Sequence, residues 1–311
     1  MMGHEANAWA RLGTNLEGSS HRGREILEHS ELLGWNVRKE HLITSSSGLV
    51  DPDHFAVVRD HPLLGVDEIL GVVGKRYRVV PNEGMANVLS EIESWDGYAP
   101  AAAGSMREGR IAFVTYRRDV ALSVSGAGAE DVDVYLSVLM SHDGSLPATI
   151  MVTPVDHASG ALLNPDIRPA WGGATPVTKT RTMPVTAEGA AAFANRAREN
   201  VRTYLEYFAS WGMGLPEWIS SLESFEILED LFGTESKTAG WETRARERVD
   251  TIMREFSSRN EINPWEVFLA VCRYQDFLRE VRPREALEHD QVRAIGAIFD
   301  TKIKTKTLAA L

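Results

Sequence analysis

Residues 132–154 read VDVYLSVLMSHDGSLPATIMVTP. Two runs rich in β-branched and large apolar residues, Val132–Ser141 and Ala148–Pro154, flank a short polar stretch. That stretch holds the turn formers Asp143 and Gly144, with Ser141 and Ser145 able to bond exposed backbone, so the segment predicts an antiparallel hairpin. Just upstream, Arg110–Arg117 (RIAFVTYR) is a third run of the same kind, joined through the Gly- and Ala-rich residues 119–131. Both connections are hairpin-length or slightly longer. Three strands with no long helix between them form an antiparallel meander and argue against a parallel, dinucleotide-binding sheet.

Outward from the meander the pattern changes on both sides. On the N-terminal side, Leu70–Val80 (LGVVGKRYRVV) has the composition of a strand. Asn82 can cap the helix predicted over Met85–Trp95, where Met85, Val88, Leu89 and Ile92 recur at helical spacing. Gly97 and Ala99–Gly104 then break the pattern. Further upstream, Arg24–Leu33 predicts a short amphipathic helix, Ser45–Gly48 a loop, and Phe55, Val57 and Val58 a strand. On the C-terminal side, residues 156–182 are rich in Pro, Gly and Thr and predict a loop. Thr186 opens a helix running past Phe208. Helices follow over Leu215–Phe232, Gly240–Arg259, Pro264–Glu280 and Asp290–Phe299, ending in the basic tail Lys302, Lys304, Lys306. The expected class is therefore α+β: an antiparallel β-meander packed with a helix, followed by a mostly helical C-terminal region. The expected divisions are an N-terminal arm (1–60), an α+β core (61–210) and the helical end (211–311).

Composition limits the function classes. The 311 residues are 43% hydrophobic and 25% charged, the proportions of a soluble globular chain. With 33 Lys and Arg against 44 Asp and Glu the formal charge is −11, so any nucleic-acid role must rest on a local basic patch. The single cysteine, Cys272, lies in an apolar helical pattern, which excludes an internal disulfide and a cysteine-built zinc site. The chain has no run of 18 apolar residues and no signal-peptide pattern at its start, so a cytoplasmic location and no membrane are expected.

Strong catalytic spacings are missing: no GxxxxGK[ST], HExxH, GxSxG or helix-opening GxGxxG occurs. No cofactor, metal or catalytic residue is expected. Adjacent His142 and Asp143 fit a hairpin turn better than a metal site; joined by Asp131 or Asp133 they would make the alternative, a metal-dependent nuclease. The basic residues carry more information. Lys75, Arg76, Arg78, Arg107, Arg110, Arg117 and Arg118 fall within residues 71–118, a window of about +2 in a chain of −11, with Tyr77, Phe113 and Tyr116 interleaved. A single-strand groove uses this mixture, cations following phosphates while rings stack on bases. On a strand, Arg76 and Arg78 would share one face, with Lys75 and Tyr77 on the other. Elsewhere, Arg244, Arg246 and Arg248 alternate with Glu242, Glu247 and Asp250 as a surface laced by ion pairs. A third alternative uses residues 217–235, which carry six acids and no base, to engage a basic protein partner of the host.

Several segments resemble the phage/plasmid-like family carrying a domain of unknown function: Trp9 with Leu12 and Gly13, Gly34–Val37, LGVVGKRYRVVPNEGMANVL, SHDGS, and NPWEVFLAVCRYQDF followed by Gly296 and the Lys302–Lys306 tail. One departure is clear. After Thr153, Pro154 and Val155 the family reads RVVCxNTL, whereas this chain reads DHASGALLNPDI. The order of strand, helix and antiparallel strands also looks like the core of phage single-strand annealing proteins of the Erf/RecT type. That likeness implies an ATP-independent, non-enzymatic protein that binds and anneals single-stranded DNA as a ring-shaped or helical homo-oligomer. Lys75, Arg76, Arg78, Arg107, Arg110, Arg117 and Arg118 would then contact phosphates, and Tyr77 or Tyr116 would stack on bases.

Overall fold

A computed structural model describes residues 7–124, 131–164, 176–211, 216–233, 239–281 and 289–311. Its centre is the meander. Strands β5 (Tyr98–Met106), β6 (Ile111–Arg118), β8 (Asp131–Ser141), β9 (Ala148–Asp156) and β10 (Val177–Thr180) pair antiparallel in that order. The short β1 (Thr14–Asn15) extends the β5 edge, and β7 (Leu122–Ser123) pairs with β8. The expected α+β class holds, and β6, β8 and β9 lie where their apolar runs place them.

Alternation along the strands gives the sheet two apolar faces. Ala112, Val114 and Tyr116 of β6, with Leu136, Val138 and Met140 of β8, face helices α3 (Ala86–Glu93), α4 (Ala187–Trp211) and α7 (Pro264–Arg273). The other side carries Ile111, Phe113, Tyr135, Leu139 and Met151, which meet α1 (Ala8–Leu12) and α8 (His289–Phe299). Covered on both sides, β9 is buried at every position, so its sequence reads as a continuous run with no polar face.

Three expectations about this region change. Ala99–Gly104 is not a break but most of β5, because Gly104 and Gly13 pack backbone to backbone: a Cβ on Gly13 would lie 2.5 Å from the Ala103 carbonyl oxygen. Small residues are required at that approach, and their low strand propensity hides the strand. The loop expected over 156–182 contains β10, while residues 165–175 lie outside the described residues. Asn82 does not cap a helix: its amide donates to the Leu32 carbonyl (2.9 Å) and its Oδ1 meets His142.

The expected N-terminal arm divides. α1 and α2 (Arg24–His29) pack into the core, with Trp9, Ile26 and Leu27 fully buried. A separate three-stranded antiparallel sheet follows, built from β2 (Arg38–Ile43), β3 (Val50–Asp60) and β4 (Asp67–Gly74). It docks on one end of the central sheet through Arg59, which is 5% exposed, lies 4.1 Å over the Trp35 ring and pairs with Glu68. Gly109 leaves the room for it, since a Cβ there would sit 2.1 Å from the guanidinium.

The helical end adds α5 (Ser221–Phe232), α6 (Ala239–Met253) and α9 (Lys302–Ala310), with β11 (Ile219–Ser220) and β12 (Glu261–Ile262) paired beside them. Ser220 and Glu223 form a capping box, which starts α5 later than the expected Leu215. The basic tail also departs from expectation. Lys304 is completely buried; its ammonium lies 2.8 Å from Asp276, itself 0% exposed, and donates to the Leu162 carbonyl (2.6 Å). Asp276 sits in the π-helical turn Tyr274–Leu278 and also accepts the Leu162 amide at 2.8 Å. This pair clamps the segment after β9, the end of α7 and α9 together.

Candidate functional site

The stretch 70–80 supplies the first wall of the site, but not as one strand. β4 ends at Gly74, where the Tyr77 amide donates back to the Gly74 carbonyl (3.0 Å) and turns the chain. Lys39 braces this turn by donating to the carbonyls of Gly74 and Lys75, and Lys75 pairs with Asp53 at 2.8 Å. Tyr77 then anchors the segment. Its hydroxyl donates to the Ser141 carbonyl (2.9 Å) and its ring lies over Gly144, where a Cβ would touch it at 3.4 Å. Burial raises its pKa above the usual phenol value. Arg76 and Arg78, on either side of this anchor, are left exposed.

The second wall is the end of the β8–β9 hairpin. Ser141 accepts the Leu146 amide on its hydroxyl (3.1 Å), and Asp143 accepts the Ser145 amide (2.9 Å), which fixes the turn read from SHDGS. Arg181, Thr182 and Met183, just beyond β10, form the third. Together they enclose a cleft of about 650 Å³ with Val80, Met140, Ala148 and Met183 contributing apolar surface and Arg76, Arg78 and Arg181 the charge. Among the described residues none of these three arginines has a carboxylate partner. A cleft with unneutralised guanidinium groups, one aromatic ring and apolar surface can hold an anionic, partly apolar ligand.

Beneath the cleft, His142 is a structural joint. It is 1% exposed, its Nε2 lies 2.8 Å from Asn82 Oδ1, and the Trp35 ring is 5.9 Å away. Because the Asn82 amide nitrogen donates to Leu32, Oδ1 is the acceptor, so Nε2 of His142 carries the proton. Burial, aided by the nearby Arg59 charge, pushes the imidazole pKa down to about 4. With a protonated Nε2 engaged in this way, His142 does not present that nitrogen to a metal. Asp133 lies nine residues away, about 30 Å along an extended strand, and is held by Arg117 (2.8 Å) and His157 (3.1 Å). The side chain of Asp131 lies outside the described residues. The three groups of the nuclease alternative that are described, His142, Asp143 and Asp133, therefore do not converge.

The structure thus divides the nine expected nucleic-acid residues. Arg76, Tyr77 and Arg78 line the cleft. Lys75 adjoins it but is paired, and Arg110 at the β5–β6 turn lies 3.5 Å from Glu108. Arg107 faces the opposite side of the sheet, over the Phe299 ring in a smaller hollow of about 360 Å³ shared with Arg279. Tyr116 is 0% exposed and donates to Glu93 (2.9 Å), so it cannot stack on a base. Arg117 and Arg118 end β6 at its far end, six and seven residues from Ile111. Strand spacing separates cations that are near in sequence. Sequence alone does not single out Arg181: it follows Val177–Thr180 in a stretch whose Pro, Gly and Thr content reads as loop, and only the pairing of β10 with β9 brings it to the cleft.

Two of the segments that carry the sequence resemblance, LGVVGKRYRVVPNEGMANVL and SHDGS, contribute these walls. Residues 69–157 match the family model of a domain of unknown function (DUF932). The matched residues run from within β4 through β9, so they include Arg76, Tyr77, Arg78 and the β8–β9 turn, while Arg181 lies outside them. No curated protein and no solved structure matches the chain.

Proposed function

We propose that this protein binds single-stranded DNA in the cleft and brings complementary strands together without ATP, acting as a homo-oligomer in recombination of a phage, prophage or plasmid. The observation that carries the reading is the convergence of Arg76, Arg78 and Arg181, free of carboxylates among the described residues, beside Tyr77 in a chain of net charge −11. Guanidinium groups of this kind neutralise phosphates, and the apolar surface between them accepts base edges or faces. The resemblance to phage/plasmid-like proteins and the likeness to annealing-protein cores support the biological setting.

The test is a titration of the protein into two complementary labelled oligonucleotides, without nucleotide or metal, reading binding by anisotropy and pairing by energy transfer. Wild type binds and speeds pairing. Arg76→Ala with Arg78→Ala weakens binding at least about tenfold and lowers the slope of log K against log salt by about 1.4, two phosphates at about 0.7 each. Unchanged affinity and slope would remove the cleft from the reading. A second reading, a basic protein partner, is favoured by one observation: Trp218 and Leu222, 51% and 66% exposed, lie among the acids of residues 217–230. A stable complex with a basic host protein, and no binding of oligonucleotide at low salt, would favour it.

A further inference from the structure

The three-stranded sheet that docks on the core is unusual in what it leaves uncovered. Its inner face closes over Phe55, Val57, Leu70 and Val73. The outer face closes over Ala56 and Val58 of β3, each 4% exposed, but stays open along β4. Of the fifteen exposed large hydrophobic side chains among the described residues, eight fall within residues 43–72. Five lie along β4 and the turn before it: Leu63 (75% exposed), Leu64 (69%), Val66 (54%), Ile69 (61%) and Val72 (55%).

Their arrangement is built. β3 pairs Val58 with Ile69 and Val57 with Gly71, so Leu70 is the extra residue of a bulge. The bulge puts Ile69 and Val72, three residues apart, on the same outer face opposite Val58 and Ala56. The turn is equally fixed: Nδ1 of His61 accepts the amides of both Leu63 and Leu64 at 3.2 Å, and the His61 amide donates to the Val66 carbonyl at 2.8 Å. The two leucines are thus held out by a structured turn.

We infer that this outer face, centred on Ile69 and Val72 of the edge strand β4, is the surface through which two copies of this chain associate. Four observations select that occupant. At 54–75% exposure the five side chains present roughly 500 Å² of apolar surface, at the upper end of what monomers expose and more than half of the ~800 Å² each partner gives to a standard interface. The charge around it excludes polyanions and anionic bilayers, since residues 38–75 carry four Lys or Arg against six acids and Arg38 is occupied by Glu40, Asp60 and Asp67 at 2.6–2.8 Å. The same rim holds both signs, as a patch that meets its own copy must. β4 also lacks the lysine or proline that usually blunts an edge strand.

β4 leads directly into Arg76 and Arg78, so pairing here sets the clefts of two copies side by side. Only that alignment rests on the DNA reading; the association does not. Sedimentation velocity over a concentration series tests it, with and without a long single-stranded oligonucleotide. Wild type sediments above the 34.4 kDa monomer, and Ile69→Thr with Val72→Thr, which keeps β-branched residues in the strand, returns to it. Leu63→Ser with Leu64→Ser shifts the mass the same way and decides the matter if the first pair fails to fold by circular dichroism. A wild type that stays at 34.4 kDa under both conditions, or folded variants with wild-type mass, overturns the proposal. Arg76→Ala with Arg78→Ala keeps the assembled mass, so assembly without any DNA binding would remove the proposed function and leave this inference standing.

Discussion

The two ends of strand β6 carry arginines in opposite situations. At the far end Arg117 is bound to Asp133, which His157 also holds, and the cation is spent within the fold. At the near end, beyond the β8–β9 turn, Arg76, Arg78 and Arg181 face one cleft with no carboxylate among the described residues. Counting cations along the sequence treats these ends alike. Their difference is whether a partner is already in place, because a guanidinium whose charge a carboxylate already compensates gains less from a phosphate. Lys304 is the limiting case of the first kind, a cation wholly enclosed with Asp276.

The enclosed pair is the most sensitive of these sites. Asp276→Ala leaves Lys304 enclosed without its counter-charge and is expected to cost about 3–5 kcal/mol of stability, read as a large drop in the urea midpoint. An unchanged midpoint would mean that Lys304 reaches water. A smaller loss is expected on acidification. His142 has a pKa near 4 when folded and near 6.5 when unfolded, so the unfolded chain takes up the proton first. Its contribution is complete above pH 6.5 and is lost as pH falls from 6.5 to 4, by about 3 kcal/mol in all. His142→Asn should flatten that part of the stability profile; the same slope in the variant would assign it to other groups.

The next two changes exchange the situations of the two ends. Thr182→Glu places a carboxylate beside Arg181 and is expected to weaken oligonucleotide binding about tenfold, the effect of about 1.4 kcal/mol at one charged contact. Asp133→Asn releases Arg117 and should leave binding unchanged; tighter binding would show that the far end also receives the strand. Least of all, Cys272, buried and with its thiol pushed up to about 12, should resist thiol reagents until the chain is unfolded. Labelling at the native rate of an exposed cysteine would contradict its burial.

The meander was legible because β6, β8 and β9 are buried on one or both faces and therefore spell themselves in Val, Ile, Leu and Tyr. β5 was not, since the close passage of Gly13 against Gly104 demands alanine and glycine where strand residues are looked for. The VVGKRYRVV stretch misleads for another reason: β-branched residues stand on both sides of a turn that only the Tyr77 anchor on Ser141 makes visible. Two-thirds of the cleft's charge was readable, as Arg76 and Arg78 flank a tyrosine in one short segment. Arg181 and the withdrawal of Tyr116, Arg117 and Arg107 depend on which strand lies beside which. Likewise, KIKTK reads as a solvated tail, and nothing local announces the carboxylate waiting 28 residues earlier.

That separation has a meaning in time as well as in space. A ribosome adding about 5–20 residues per second makes Asp276 roughly 1–6 s before Lys304. Until the lysine is present, the Asp276 carboxylate has no counter-charge with which to be buried. The segment after β9, which hands its Leu162 amide and carbonyl to this pair, must wait with it. The central sheet can form while the chain is still growing, but its last seam closes only when the lysine arrives.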